Sequence, residues 1–312
     1  MTLDNNGRSI RVPVILGPTA VGKTELAVGL CRDLGLELLS CDSRQIYRFM
    51  DIGTAKPTAL QQRLVKHWMI DTADPDEGFS CYRFAAEAME IIRRRAQSGR
   101  RVLVCGGSGL YFHSLSKGLG PAVAPQKEFR ETYFEKARCE GNQSIFDELA
   151  RIDPCAAAAT HPSNLQRNIR ALEVYYHSGK TLSELKGRSR PPEGVDFFVL
   201  ECALPREVLY RRINERVDVM VKSGLLEEFH ALRKRGYDHR CPGMQCVGYK
   251  ELFAVEKSPN ALPDAIDAVK MNTRHYAKRQ ITWLRHQVKC REIPMDKLDL
   301  GSVKKMVEEY IA

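Results

Sequence analysis

Residues 17–24 read GPTAVGKT and match the spacing G-x-x-x-x-G-K-[ST]. In such a loop the glycines let backbone N–H groups turn inward around phosphate oxygens. Gly17, Pro18, Thr19, Ala20, Val21 and Gly22 would form the cradle, Lys23 would supply a point charge, and the Thr24 hydroxyl could ligate magnesium. A diphosphate and a nucleoside triphosphate such as ATP look alike to this loop, so its ligand stays open. A second group lies in CDSRQ, residues 41–45, where Asp42 could accept a proton or hold a metal's water. An aspartate at a strand end equally well caps a turn. The glycine turn GGSG, residues 106–109, would let a backbone approach closely, and the Ser108 hydroxyl could bond a ligand, although an ordinary strand-to-helix connection accounts for it too. Further on, Leu209, Ile213, Val217 and Met220 form an apolar helical stripe, with Arg216 about 20° from its edge. A guanidinium at a core boundary needs an anion, either a protein carboxylate or a substrate phosphate.

These groups need a scaffold that gathers strand ends. Residues 11–16 (RVPVIL), 36–41 (LELLSC), 67–70 and 101–105 (RVLVC) read as strands, with helices expected over 24–34 and 82–97. The alternation predicts an α/β fold, a P-loop NTPase-like parallel sheet with flanking helices whose chemistry collects at the carboxyl edge. From about Pro121 the pattern turns helical, which predicts a helical insertion domain over 121–194 between two parts of a catalytic core, 1–120 and 195–312. Residues 195–204 return to strand character, and one long helix is expected over 206–235. There is no internal repeat and no low-complexity segment.

Composition narrows the function. With 312 residues, 43% hydrophobic and 28% charged, the chain can bury a sizeable core. No run is long and apolar enough to span a bilayer, and MTLDNNGRS lacks the order of a secretory signal, so no membrane association and a cytoplasmic location are expected. The 10 cysteines are dispersed without a C-x-x-C pair, and read as reduced, mostly buried thiols. The net charge of +9 is concentrated late: residues 205–290 hold 17 Lys and Arg against 10 Asp and Glu. Residues 271–290 carry Arg274, Lys278, Arg279, Arg285 and Lys289 and no acid. There Ala277, Ile281, Leu284 and Val288 make a stripe, and Arg274, Lys278, Arg285 and Lys289 an adjoining positive arc of about 60°. A solvated helix usually mixes signs, so this arc favours phosphate-backbone contact. In the insertion, Leu165, Ile169, Leu172 and Tyr176 form a buried stripe and Gln166 and Arg170 share a neighbouring face.

GPTAVGKT, DSRQIYRFMDIGTAKP (42–57), HWMID (67–71), GGSGLY (106–111), QRNIR (166–170), QCVGYKE (245–251) and AKRQITWLR (277–285) together resemble, in order, the motifs of the tRNA dimethylallyltransferases, also called tRNA isopentenyltransferases. Trp68 and Met69 stand where the family often has His-Leu, and Asn168 occupies a variable place. The resemblance implies transfer of a dimethylallyl group from dimethylallyl diphosphate to N6 of the adenosine 3′ of the anticodon, with release of diphosphate and with Mg2+ as cofactor. It implies Asp42 as general base, Arg216 as a catalytic cation on the diphosphate, and tRNA contact by Asp42, Ser43, Arg44, Gln45, Ser108, Arg130, Gln166, Arg167, Asn168, Ile169 and Arg170. The expected partners are the tRNA anticodon loop and the prenyl donor, and the expected state is a monomer. Two other classes use the same loop. A small-molecule kinase would transfer phosphate from ATP without RNA, and a GTPase-like binding module would hold RNA without a covalent product. The basic C-terminal helix argues against the first, and Asp42 near the loop against the second.

Overall fold

The computed structural model describes residues 9–118, 123–187 and 190–312. Its contacts divide the chain into two units, one of residues 9–116 and 193–312 and one of 117–192. Residues 1–8 of the N-terminal segment and Pro121, where the insertion was expected to start, lie outside the described residues.

The first unit opens with β1 (Ile10–Leu16), α1 (Lys23–Leu34), β2 (Glu37–Cys41), α2 (Ala59–Leu64), β3 (His67–Trp68), α3 (Cys81–Gln97), β4 (Val102–Gly106) and α4 (Gly109–Lys117). The second unit holds α5 (Lys127–Glu140), α6 (Asn142–Ile152), α7 (Pro154–Ala158), α8 (Leu165–Ser178) and α9 (Leu182–Gly187). The chain returns to the first with β5 (Val195–Ala203), α10 (Arg206–Lys222), α11 (Leu225–Lys234), α12 (Phe253–Lys257), α13 (Leu262–Gln287), β6 (Arg291–Pro294) and α14 (Leu300–Ile311). The strands form one parallel sheet in the order β3-β2-β4-β1-β5-β6. This is the α/β class expected. Strand alternation feeds two cores: Ile15, Leu38 and Leu103 face α1, α10 and α14, while Val14, Leu39 and Val104 face α3 and α4. The crossover connections place the turns after β1, β2 and β4 at the same sheet edge, with β1 central.

Several expected elements are corrected. The helix expected over 206–235 is two helices, because Gly224 adopts the left-handed conformation at φ 100° and caps α11. The third strand is confined to His67–Trp68, because Met69 and Asp71 take positive φ and turn the chain out of the sheet. Val288 and Lys289 fall beyond the end of α13, so the basic helix is shorter at its C-terminus than its charge pattern suggests. Tyr176 is half exposed and not part of the buried stripe of α8. Of the cysteines, Cys31, Cys41, Cys105, Cys202 and Cys246 are buried, whereas Cys139 and Cys155 are exposed, so burial is less general than expected.

The second unit is organised around a buried carboxylate. Glu173, wholly buried on α8, accepts from Arg130 Nε and Nη2 at 2.8 Å each and from the Gln126 N–H at 2.7 Å, and it also pairs with Arg170. Burial alone pushes the carboxyl up, but Arg130, the Gln126 N–H and Arg170 hold it below its usual range. A lowered folded value means that this contribution is complete above the unfolded carboxylate pKa, about 4.3, and is lost as pH falls through the folded one. Removing one partner of such a buried cluster leaves uncompensated charge. Because both guanidiniums left behind are partly open to solvent, Glu173→Ala is expected to cost about 1–3 kcal/mol at neutral pH. Chemical denaturation of the full chain checks this, and an unchanged midpoint would show that the cluster contributes nothing.

Candidate active site

The loop between β1 and α1 opens on a cavity of about 470 Å³. α1 starts at Lys23 with no side chain capping its first turn, so its N-terminal N–H groups remain available to an anion. Thr19, Ala20, Gly22, Lys23 and Thr24 line the cavity, while Gly17, Pro18 and Val21 are buried behind them as the frame of the loop. The Lys23 ammonium donates to the Pro18 carbonyl at 2.6 Å, and burial lowers its pKa. Arg216 projects from α10 into the same cavity. Among the described residues no carboxylate lies within ion-pair distance of either cation. Burial, and then the charge of Arg212, lower the Arg216 pKa. Of the two partners open to Arg216 from sequence, a protein carboxylate is therefore excluded among the described residues, and an external anion remains.

The opposite wall is built by the segment after β2. One oxygen of Asp42 accepts the Arg44 N–H at 2.9 Å, which is the turn-capping role. The other oxygen has no hydrogen bond among the described residues, and Asp42 lines the cavity. The turn-capping bond therefore occupies one oxygen and leaves the other at the cavity wall. Ser108 Oγ accepts the Ser43 N–H at 2.8 Å and donates to Ser43 Oγ at 3.1 Å, so the glycine turn after β4 fastens the segment next to Asp42. Gln45 is spent internally, with its amide nitrogen on the Ala55 carbonyl at 3.1 Å and its oxygen accepting from Ser40. The long motif around it is a self-bonded loop. Lys56, almost wholly buried, bridges Asp51 at 2.5 Å and Asp71 at 2.6 Å, and Glu228 accepts the N–H groups of Asp51, Ile52 and Gly53. These bonds account for Asp51 and Lys56 of the first motif and Asp71 of HWMID, whose charges pair with one another.

The profile of the IPP transferase family matches residues 45–287. A tRNA dimethylallyltransferase of Pelotomaculum thermopropionicum is 39% identical over 283 residues, covering 91% of this chain and 90% of the relative. The chain belongs to the IPP transferase family. Among solved structures, the tRNA isopentenylpyrophosphate transferase of Bacillus halodurans is 37% identical at a TM-score of 0.70, covering 96% of each chain. A eukaryotic dimethylallyltransferase caught acting on tRNA is 26% identical at a TM-score of 0.78, covering 96% of this chain and 77% of that one. The parallel sheet of this IPP transferase is the P-loop NTPase-like arrangement, and the enzyme is a prenyltransferase.

The remaining expected contact residues lie in the second unit of the transferase. Gln166 and Arg167 are exposed on α8. Asn168 and Ile169 are buried, at 0% and 1% exposure, and Asn168 donates to the His161 carbonyl at 3.1 Å. This corrects the expectation of direct RNA contact by these two: they hold the helix from inside. Arg130 and Arg170 are engaged by Glu173, and Arg170 also donates to the Val123 carbonyl at 2.7 Å. In the first unit, the basic arc of α13 is also smaller than expected, since Arg274 donates to Asn214 at 2.7 Å while Lys278 and Arg285 are exposed. Sequence reasoning missed Tyr276 and Gln280, which line the cavity from α13. Their spacing of one helical turn, beside the apolar stripe, was the available signal.

For the loop, Lys23→Ala should weaken binding of inorganic diphosphate at least about tenfold, or about 1.4 kcal/mol. Arg212→Ala, outside the cavity lining, should weaken it less. Calorimetric titration reads both, and unaltered affinity in Lys23→Ala would remove the loop from phosphate binding.

Proposed function

We propose that this IPP transferase moves a dimethylallyl group from dimethylallyl diphosphate to the exocyclic N6 of the adenosine immediately 3′ of the anticodon, releasing diphosphate. Dimethylallyl transfer to tRNA is the activity of the family. The observation that carries the finer reading is the cavity itself, where Lys23 and Arg216, with no carboxylate at ion-pair distance among the described residues, share the lining with the Asp42 carboxylate. The loop N–H groups, Lys23 and Arg216 bind the diphosphate, and Val217, Met220, Val247 and Val269 on the same cavity offer apolar surface to the prenyl tail.

In the step, the N6 lone pair forms a bond to the allylic carbon as that carbon's bond to oxygen breaks. The electron pair leaves on the diphosphate, where Lys23 and Arg216 meet the growing charge. Asp42 orients the amine through its free oxygen and takes the N6 proton. The adenosine has to leave its stack, at a cost of roughly a few kcal/mol that a single-stranded anticodon loop keeps low.

Thr24 is the one direct metal ligand expected. Its side chain lines the cavity beside Lys23, and no group of three His, Cys, Asp or Glu suited to a metal occurs among the described residues. That donor set fits Mg2+, which keeps waters and binds through substrate phosphates more than through a protein cage. When bound, it would supply further charge neutralisation on the diphosphate. Ser43 and Arg44 beside the cavity, and Arg130, Gln166, Arg167 and Arg170 in the second unit, are the proposed tRNA contacts. No helix among the described residues is long and apolar enough to cross a membrane. A cytoplasmic monomer is part of this reading.

Asp42→Asn keeps the size of the side chain and loses its basicity. Affinity for tRNA and for diphosphate should stay within a few-fold, while single-turnover alkylation slows by at least about 100-fold, the scale of general-base removal. Near-normal turnover with intact binding would leave Asp42 as a turn residue only.

A further inference from the structure

α13 meets the glycine turn after β4 through one face, with Tyr276, Gln280 and Trp283 on successive turns. Tyr276 lies beside Ser108. A Cβ on Gly107 would stand 2.3 Å from Gln280 Nε2, and one on Gly109 would stand 2.2 Å from the Trp283 ring. The turn therefore needs its glycines because a helix from far along the chain lies against it, and the GGSG and AKRQITWLR motifs are two halves of one joint.

Gln280 is the centre of that joint. It is 6% exposed, and both ends of its amide are engaged. Its Oε1 accepts the Thr19 N–H of the phosphate loop at 2.9 Å, and its Nε2 donates to the Gly107 carbonyl at 2.8 Å. Thr19 N–H can only donate and Gly107 O can only accept, so the amide has one possible orientation. From Gly107 the connection continues without a gap. Ser108 holds the Ser43 N–H, and Ser43 follows Asp42 in the chain. One side chain thus joins the loop at the phosphate end of the cavity to the turn that fixes the carboxylate wall.

We propose that Gln280 is a positioning residue for the transfer reaction: it sets the distance between the phosphate loop and Asp42, and so the placement of the donor carbon and the accepting amine relative to the base. This rests on the function proposed above. Transfer requires the reacting atoms to approach within about 3–3.5 Å in line, and a misplacement of about 1 Å costs on the order of 100-fold. The β-ladder seats Leu16 and Cys41 on either side of Gly106, and the amide adds the side-chain link that ties Thr19, beyond the end of β1, to the same turn. Gln280 touches no reacting atom and is not a catalytic residue.

Two variants test this in the full-length protein. Gln280→Met keeps the length and volume and deletes both hydrogen bonds. It should slow single-turnover alkylation by about 100-fold, while affinity for inorganic diphosphate changes by less than about threefold. Gln280→Glu keeps the acceptor for Thr19 and, when protonated, regains a donor for the Gly107 carbonyl. Burial and that carbonyl raise the pKa of such a carboxyl. Its rate relative to the original protein should therefore recover as pH is lowered from 8 toward 6, on the order of tenfold, whereas the Gln280→Met ratio stays flat. A rate loss matched by an equal loss of diphosphate affinity, or a pH ratio equal in the two variants, would overturn the proposal.

Hydrogen–deuterium exchange needs no reaction. In Gln280→Met the peptides carrying Thr19 and residues 42–45 should both lose protection, and a change confined to α13 would contradict the joint. If the unmutated protein makes no alkylated tRNA, the proposed function fails, while the exchange result still decides whether Gln280 links the two walls.

Discussion

Lys23 and Arg216 bring positive charge into a cavity that provides neither with a carboxylate at ion-pair distance among the described residues. Burying a charge without a partner is costly, and both groups have their pKa lowered by that burial. The arrangement is sustained by the rest of the fold. β1 delivers the loop at the centre of a parallel sheet, α1 turns its N-terminus toward the cavity, and α10 is held through Leu209, Ile213 and Val217 so that Arg216 faces inward. An anion that satisfies these cations relieves the cost, and one that leaves with more negative charge than it brought is favoured most. A departing diphosphate has that property.

The second wall is held differently. Most of the charged residues in its motifs are engaged within the protein. Lys56 neutralises Asp51 and Asp71, Glu228 gathers three backbone N–H groups, and Gln45 closes on Ala55. This internal bonding makes a loop of many residues rigid enough to present one carboxylate oxygen. Flexible presentation would not serve, because catalytic geometry tolerates little displacement. The second unit shows the same logic in Glu173, whose pairs orient Arg130 and Arg170 on the α8 side of that unit.

Much of this was legible in the amino-acid order. The strand, loop and helix around GPTAVGKT follow from local pattern, and so do the parallel sheet and the candidate roles of Lys23, Asp42 and Arg216. What pattern could not supply was pairing at long range. Gln280 looks like one more polar residue on a basic helix until its bonds to Thr19 and Gly107, 261 and 173 residues away, are seen. Arg274 reads as a free cation and is tied to Asn214. Asn168 reads as a surface amide within a charged motif and is wholly buried. Gly224 shows the converse limit, since a glycine inside a helical pattern signals a break only weakly.

The most direct measurement is mass spectrometry of nucleosides and ribonuclease fragments from tRNA incubated with the full-length protein, dimethylallyl diphosphate and Mg2+, with released diphosphate counted alongside. The account predicts one dimethylallyl group per tRNA on the adenosine 3′ of the anticodon, matched mole for mole by diphosphate. Diphosphate release without alkylated tRNA, or alkylation at another position, would contradict it.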